Sequence, residues 1–244
     1  MKFINLGTYV FMVGMNILAS ALPLNAQTTA EVSDRYPTLF TPAGYVFSIW
    51  GLIYILLGAF VVRGFIRDDE RVEGLGYLFA ISSIINGTWI IAWHWEALAV
   101  SLVLMLVLLA TLILIVLRLQ RSAPRSLRQR WMVDIPFSVY LGWISVATIA
   151  NVAVVLSSAN WDGFGIGPVA WTIVVIGAAG LLGALSVLRK GDVAYTLVII
   201  WALSGVGAAN ADRLILAGTA WGMGVLLALL IGYRWAQVNA ARTA

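Results

Sequence analysis

There is no cysteine among the 244 residues, and a single histidine, His94. The first absence removes disulfides, thiol nucleophiles and thiolate metal sites, and the second removes any multi-histidine site within one chain. Charge is scarce as well: 15 basic and 11 acidic residues make up 11% of the chain, against 61% hydrophobic. So few charges cannot cover the surface of a water-soluble globule of this size, which excludes a soluble fold. The net charge of +4 is therefore read first as a topology signal, and nucleic acid is not an expected partner.

What fills the chain instead is a succession of apolar runs of about 20 residues, the length a helix needs to cross about 30 Å of hydrocarbon. Spans are expected near residues 4–25, 43–65, 75–94, 97–118, 131–156, 168–188, 193–210 and 214–235. The fold class is an all-α membrane protein of about eight transmembrane helices, with the lipid bilayer as its first partner. Between Leu75 and Leu117 the only strong charge is Glu96. One helix of that length would run over about 60 Å, so a reversal is expected at Trp93-His94-Trp95-Glu96. The run from Val193 to Trp235 must likewise fold back, at Asn210-Ala211-Asp212-Arg213.

Basic residues in short loops stay on the cytoplasmic side. In an eight-span arrangement thirteen of them share one face: Lys2; Arg63, Arg67 and Arg71; Arg118, Arg121, Arg125, Arg128 and Arg130; Arg189 and Lys190; Arg234 and Arg242. Only Arg35 and Arg213 fall on the other. Both termini are expected in the cytoplasm. The cluster at 118–130 also suits contact with anionic headgroups. An alternative reading of the first span is open, because Lys2, an apolar stretch and Leu24-Asn25-Ala26-Gln27 also resemble a cleavable signal peptide over residues 1–26.

Small residues mark close helix packing in lipid. Gly44, Gly51 and Gly58 recur every seven residues, Gly177, Gly180 and Gly183 line the sixth span, and Gly205, Gly207, Gly218, Gly222 and Gly224 suggest a tight final hairpin. Asn16, Asn86 and Asn151 need partners in hydrocarbon, either as interhelical glue or at a cavity. No carboxylate sits deep in a span, which counts against an ion-coupled pump. Of eleven tryptophans, Trp131, Trp161 and Trp235 suit interfacial belts, whereas Trp50, Trp89 and Trp143 lie within spans two, three and five. With those spans antiparallel and parallel as required, the three indoles meet in one half of the bundle. They form either an aromatic core or a pocket for a flat, largely apolar ligand.

Three segments resemble a known family. Pro42-Ala43-Gly44-Tyr45-Val46-Phe47-Ser48-Ile49-Trp50-Gly51-Leu52-Ile53-Tyr54 is similar to the second-helix signature of the tryptophan-rich sensory proteins, the translocator-protein and peripheral benzodiazepine receptor family. Asn86-Gly87-Thr88-Trp89 resembles its third-helix Asn-x-x-Trp, and Trp143, Ala147, Thr148 and Asn151 resemble its fifth-helix pattern. Ala43 and Tyr45 stand where the signature has Pro and Trp, Val139 replaces a Pro, and no basic residue follows Tyr140 to complete a sterol pattern. The resemblance covers about residues 1–160.

It implies a five-helix translocator-protein-like bundle over residues 1–160, with three additional transmembrane helices over 161–244 that replace a dimer contact or wall the pocket. It further implies a ligand site lined by Trp50, Tyr54, Asn86, Trp89, Trp143, Ala147 and Asn151, and a lid over residues 26–42 carrying Arg35 and Tyr36. The bacterial members set the expected location as the bacterial inner membrane and a tetrapyrrole (porphyrin) as the expected ligand. The leading function is a membrane sensor or receptor for porphyrin-like or other flat apolar molecules. The alternatives are a light-dependent tetrapyrrole-degrading enzyme, since no acid–base or nucleophilic constellation is present, and a transporter of an apolar metabolite, which the absence of a visible inverted repeat disfavours.

Overall fold

Among the described residues eight long apolar helices carry the chain: α1 (Lys2–Ala21), α2 (Ile49–Ile66), α3 (Leu78–His94), α4 (Leu98–Gln120), α5 (Ile135–Ser158), α6 (Pro168–Leu185), α7 (Val193–Ala209) and α8 (Leu214–Thr243). They are seen in a computed structural model that describes residues 1–21, 24–66, 69–121 and 126–243. Arg67 and Arg125 of the basic count, and Ala244, lie outside the described residues. No strand occurs among the described residues. Six helical segments are long and apolar enough to cross a membrane. The other two, α3 and α7, have 17 residues each, a rise of about 25 Å that lies at the lower end of the spanning range.

Local chemistry sets the boundaries. α3 ends on a Schellman motif: Ala97 N–H reaches Ala92 O at 2.9 Å, Glu96 N–H reaches Trp93 O at 3.0 Å, and Glu96 takes the left-handed position with φ 53°. The reversal into α4 therefore falls at the one charged residue of that run. α5 continues from a π-helical turn, Arg130–Asp134, and this widened turn precedes Pro136, which cannot donate to the preceding turn. Asp192 caps α7 by accepting Tyr195 N–H at 3.1 Å. The α7–α8 reversal lies at residues 210–213, as the polar break predicts.

The helix contacts close α1 to α5 into a ring in the spatial order α1, α3, α4, α5, α2 and back to α1. α7 packs on the outside of α5, and α8 and α6 complete a three-helix group with it. The glycine readings divide. Gly58 lies under Tyr9 of α1 and Gly180 under Met223 of α8, but Gly44, Gly51, Gly218 and Gly222 face open space. Gly207 is the contact inside the final hairpin, against Trp221. Gly205 serves a different junction: a Cβ there would run into Val46 and press on Pro42, so its absence lets α7 touch the chain entering α2. At this junction Ala43 N–H donates to Gly205 O at 3.0 Å, and Trp201 Nε1 donates to Val46 O at 3.1 Å.

Candidate functional site

The ring interior has two ends, a lid end under residues 24–43 and a basic end beside the loops that carry most of the arginines. At the lid end helical spacing stacks aromatic residues on one face of each helix. Trp50 and Tyr54 are one turn apart on α2 and stack at 5.7 Å and 18°; Trp89 and Trp93 do the same on α3 at 5.7 Å and 23°. On α5 the face Tyr140, Trp143, Ala147, Asn151 turns inward. Trp50 is the hub, with ring centroids 6.4 Å from Trp89, 6.0 Å from Trp143 and 6.2 Å from Tyr140. Trp143 also meets Phe47 edge-on at 5.9 Å.

The buried amides divide between glue and open valence. Asn16 Nδ2 donates to Asn86 Oδ1 at 2.8 Å, tying α1 to α3, and Asn151 Nδ2 donates to Ser101 Oγ at 3.1 Å, tying α5 to α4. Trp89 Nε1 and Trp143 Nε1 are buried donors with no hydrogen-bond partner among the described residues, the hydroxyls of Tyr54 and Ser83 share that condition, and the Asn86 amide and Tyr140 hydroxyl face each other without a bond of normal geometry. Each such group costs about 1–3 kcal/mol if nothing satisfies it. Four in one bundle interior point to occupancy by water or by a molecule that supplies acceptors.

Under the lid lies a cavity of about 40 Å³, walled by Trp50, Trp89, Trp93, Trp143, Ala147 and Asn151 and roofed by Thr29, Ser33, Thr41 and Pro42. That is room for water, and far below the roughly 300–1,000 Å³ of a pocket for a drug-sized molecule. A larger ligand enters only if the roof lifts.

The roof is fastened on two sides. A capping box, with Thr28 Oγ1 accepting Glu31 N–H at 3.3 Å and Glu31 Oε2 accepting Thr28 N–H at 2.6 Å, starts the short helix Thr29–Asp34, and these bonds hold the Glu31 carboxyl below its usual range. Asn25 and Gln27 both donate to His94 O, at 3.0 and 2.7 Å, satisfying a carbonyl that the end of α3 leaves open. Trp93 Nε1 donates to Thr29 O at 3.2 Å. Glu96 accepts Tyr36 OH at 2.7 Å and pairs with Arg35 at 2.5 Å. The Tyr36 hydrogen bond, opposed by partial burial and helped by Arg35, holds the Glu96 carboxyl below its usual range; the same bond raises Tyr36. On the far side Asn210 Nδ2 of the α7–α8 turn donates to Leu39 O at 2.9 Å.

The basic end is closed differently. Phe60, Phe79 and Phe137 are fully buried and meet at 4.9, 4.9 and 6.1 Å. Beside them Arg71 grips Asp134 with two nitrogens, at 3.0 and 2.7 Å, and Leu119 O at 2.8 Å. Asp69 accepts Arg63 Nε at 2.6 Å and the Gln129 amide at 3.2 Å. Burial alone would raise Asp69, but these bonds and the Arg71 N–H outweigh it and its carboxyl lies below the usual range.

Of the seven residues expected at a ligand site, Trp50, Trp89, Trp143, Ala147 and Asn151 line the cavity. Tyr54 and Asn86 sit in the same interior outside the cavity wall. Sequence reasoning missed Trp93, read only as part of a turn, and Tyr140, weighed only against a sterol pattern; their spacing of four from Trp89 and three from Trp143 was the available signal. A family model described as TSPO-like protein matches residues 2–233, a range that runs through α6, α7 and most of α8. No curated protein and no solved structure matches the chain.

Proposed function

Because the chain belongs to the TSPO-like protein family and is an integral membrane protein, we propose that it is a ligand-binding sensor or receptor for a porphyrin-like or other flat apolar molecule with acceptor groups on its edge. The observation that carries this reading is the coincidence of stacked indoles with two obligate donors, Trp89 Nε1 and Trp143 Nε1, that are buried and unpartnered among the described residues. A tetrapyrrole offers a π-face to Trp50, Trp89 and Trp143 and carboxylates or ring nitrogens to the N–H groups. The roof over the cavity lifts to admit it. Binding then reads out as release of the contacts to α3 and to the α7–α8 turn.

The same proposal takes the chain as eight spans in a bacterial inner membrane, both termini cytoplasmic, with a sensor bundle over residues 1–160 and three supporting helices over 161–244. The basic loops support this orientation, and α7 supports the lid through Gly205 and Asn210. Reporter fusions at the C-terminus and next to Arg128 should both report the cytoplasm. An external C-terminus overturns the eight-span count.

The function is tested by quenching of tryptophan fluorescence with protoporphyrin IX in detergent, in the dark and in light, with the porphyrin spectrum followed. Saturable quenching without spectral loss is expected. Ala147→Leu, which fills the cavity, should weaken it several-fold with the melting temperature kept. Unsaturable quenching, or an unchanged affinity in Ala147→Leu, overturns the site, and light-dependent loss of the porphyrin moves the assignment to a degrading enzyme.

A further inference from the structure

A second, larger open space lies outside the ring. It is a cleft of about 1270 Å³ on the outer face, between α2 and α7, with the start of α5 as its floor, and it shares no lining residue with the ring cavity. Its origin is the junction described above. α2 and α7 are pinned together at one end, where Ala43 meets Gly205 and Trp201 meets Val46, and toward the basic end they diverge, leaving Ser138 and Val139 of α5 between them. From Val193 to Trp201 the cleft runs about 12 Å along α7, close to the roughly 15 Å of one hydrocarbon leaflet.

Along that depth the walls are Leu52 and Leu56 of α2 and Leu197 and Val198 of α7, all apolar. At the mouth stand Arg130, Arg189 and Lys190, all exposed and none in an ion pair among the described residues. The two carboxylates of the cleft do not answer them. Asp134 is held by Arg71, and Asp192 accepts Ser138 Oγ at 2.7 Å and the Tyr195 N–H at 3.1 Å. Trp131, also at the mouth and 59% exposed, is an indole at the level expected of a headgroup anchor. The cleft therefore joins an acyl-length apolar trough to three uncompensated cations, in a volume above that of a usual small-molecule pocket.

We propose that this cleft is a binding site for one anionic phospholipid, its phosphate held by Arg130, Arg189 and Lys190 and an acyl chain laid between α2 and α7. Because α7 also carries the lid through Gly205 and Asn210, a lipid wedged there bears on the same helix that the lid leans on. The site does not depend on what the ring cavity takes.

The test is native mass spectrometry of the full chain released from detergent, titrated with phosphatidylglycerol and with phosphatidylcholine of the same chains. One phosphatidylglycerol should be retained in preference. Arg130→Gln, Arg189→Gln and Lys190→Gln should each lower that preference by about five-fold, the worth of one interfacial charge, with the melting temperature unchanged, and together they should abolish it. Leu197→Trp, an exposed wall position, should expel both lipids and is the arm that remains if the triple variant does not fold. Equal retention of the two lipids, unchanged retention in Leu197→Trp, or equal competition by soluble glycerol phosphate overturns the proposal. So does a dimer that Leu197→Trp dissociates without altering lipid retention, which makes the cleft an interface between copies of the chain.

Discussion

The two ends of the ring are built from similar materials and finished in opposite ways. At the basic end the charged groups that enter the interior are answered, Arg71 by Asp134 and Leu119 O, Asp69 by Arg63 and Gln129, over a plug of three phenylalanines in contact, while Asn5 Oδ1 is buried without a partner beside a space of about 380 Å³ that Phe60 and Asp69 also line. At the lid end the aromatic residues are larger and carry N–H and O–H groups, three of which, on Tyr54, Trp89 and Trp143, are unanswered among the described residues, and a small cavity remains. A helix bundle closes most cheaply with groups that need nothing. Unpartnered indole donors occur at the lid end, and this is the contrast that supports placing the proposed ligand there.

The sharpest way to break this comparison is at the closed end. Arg71→Met removes the two-nitrogen grip on a largely buried Asp134, and breaking a buried ion pair costs about 3–5 kcal/mol. The unfolding midpoint should fall accordingly, while porphyrin affinity per folded molecule stays unchanged. A loss of affinity equal to the loss of stability would mean that the two ends are one unit.

A smaller effect of opposite sign is expected at the lid end. The Tyr54 hydroxyl is buried and has no partner among the described residues. Tyr54→Phe removes that group and keeps the ring, so the ligand-free protein should gain about 1–2 kcal/mol. A drop in melting temperature instead would show that water satisfies the hydroxyl, and the contrast between the ends would shrink to one of wetness.

The smallest effect concerns the roof. The folded-state Glu96 carboxyl is depressed, chiefly by Tyr36. Its contribution is therefore fully present above the unfolded value of about 4.3 and is lost as pH falls through the lower folded value. The clasp is half exposed and worth under about 1 kcal/mol. Hydrogen exchange of residues 29–34, corrected for its intrinsic pH dependence, should accelerate below about pH 4, and at pH 7 in Glu96→Gln. Exchange indifferent to both changes would place the restraint on the roof elsewhere, at His94 O or at Asn210.

Much of this was legible without coordinates wherever the physics is local. A turn at 93–96 follows from chain length against bilayer thickness, and the structure supplies the mechanism, a left-handed Glu96 that serves the lid as well. The inward faces of α3 and α5 follow from spacings of three and four, and they would have delivered Trp93 and Tyr140 had the spacing been applied to every aromatic residue. Glycine spacing was a poorer guide. The heptad of Gly44, Gly51 and Gly58 looked like a packed face, yet only Gly58 is covered. Gly205, read with the final hairpin, belongs to the junction with Val46. A missing side chain shows that close approach is allowed, and it does not say which helix approaches.

By itself, then, the sequence determined the class of the molecule, its helices, their reversals and the residue types that lipid forces inward, because each depends on composition, on helix rise or on the worth of a charge beside a membrane. Tertiary structure alone decided that α1 to α5 close as a ring, that the cavity is water-sized under a fastened roof, and that α7 leaves a basic-mouthed cleft against α2. These rest on contacts between residues as far apart as Val46 and Trp201 or Leu39 and Asn210. Every apolar helix in lipid has many acceptable neighbours, and only the summed fit of small residues and unpaired polar groups chooses among them.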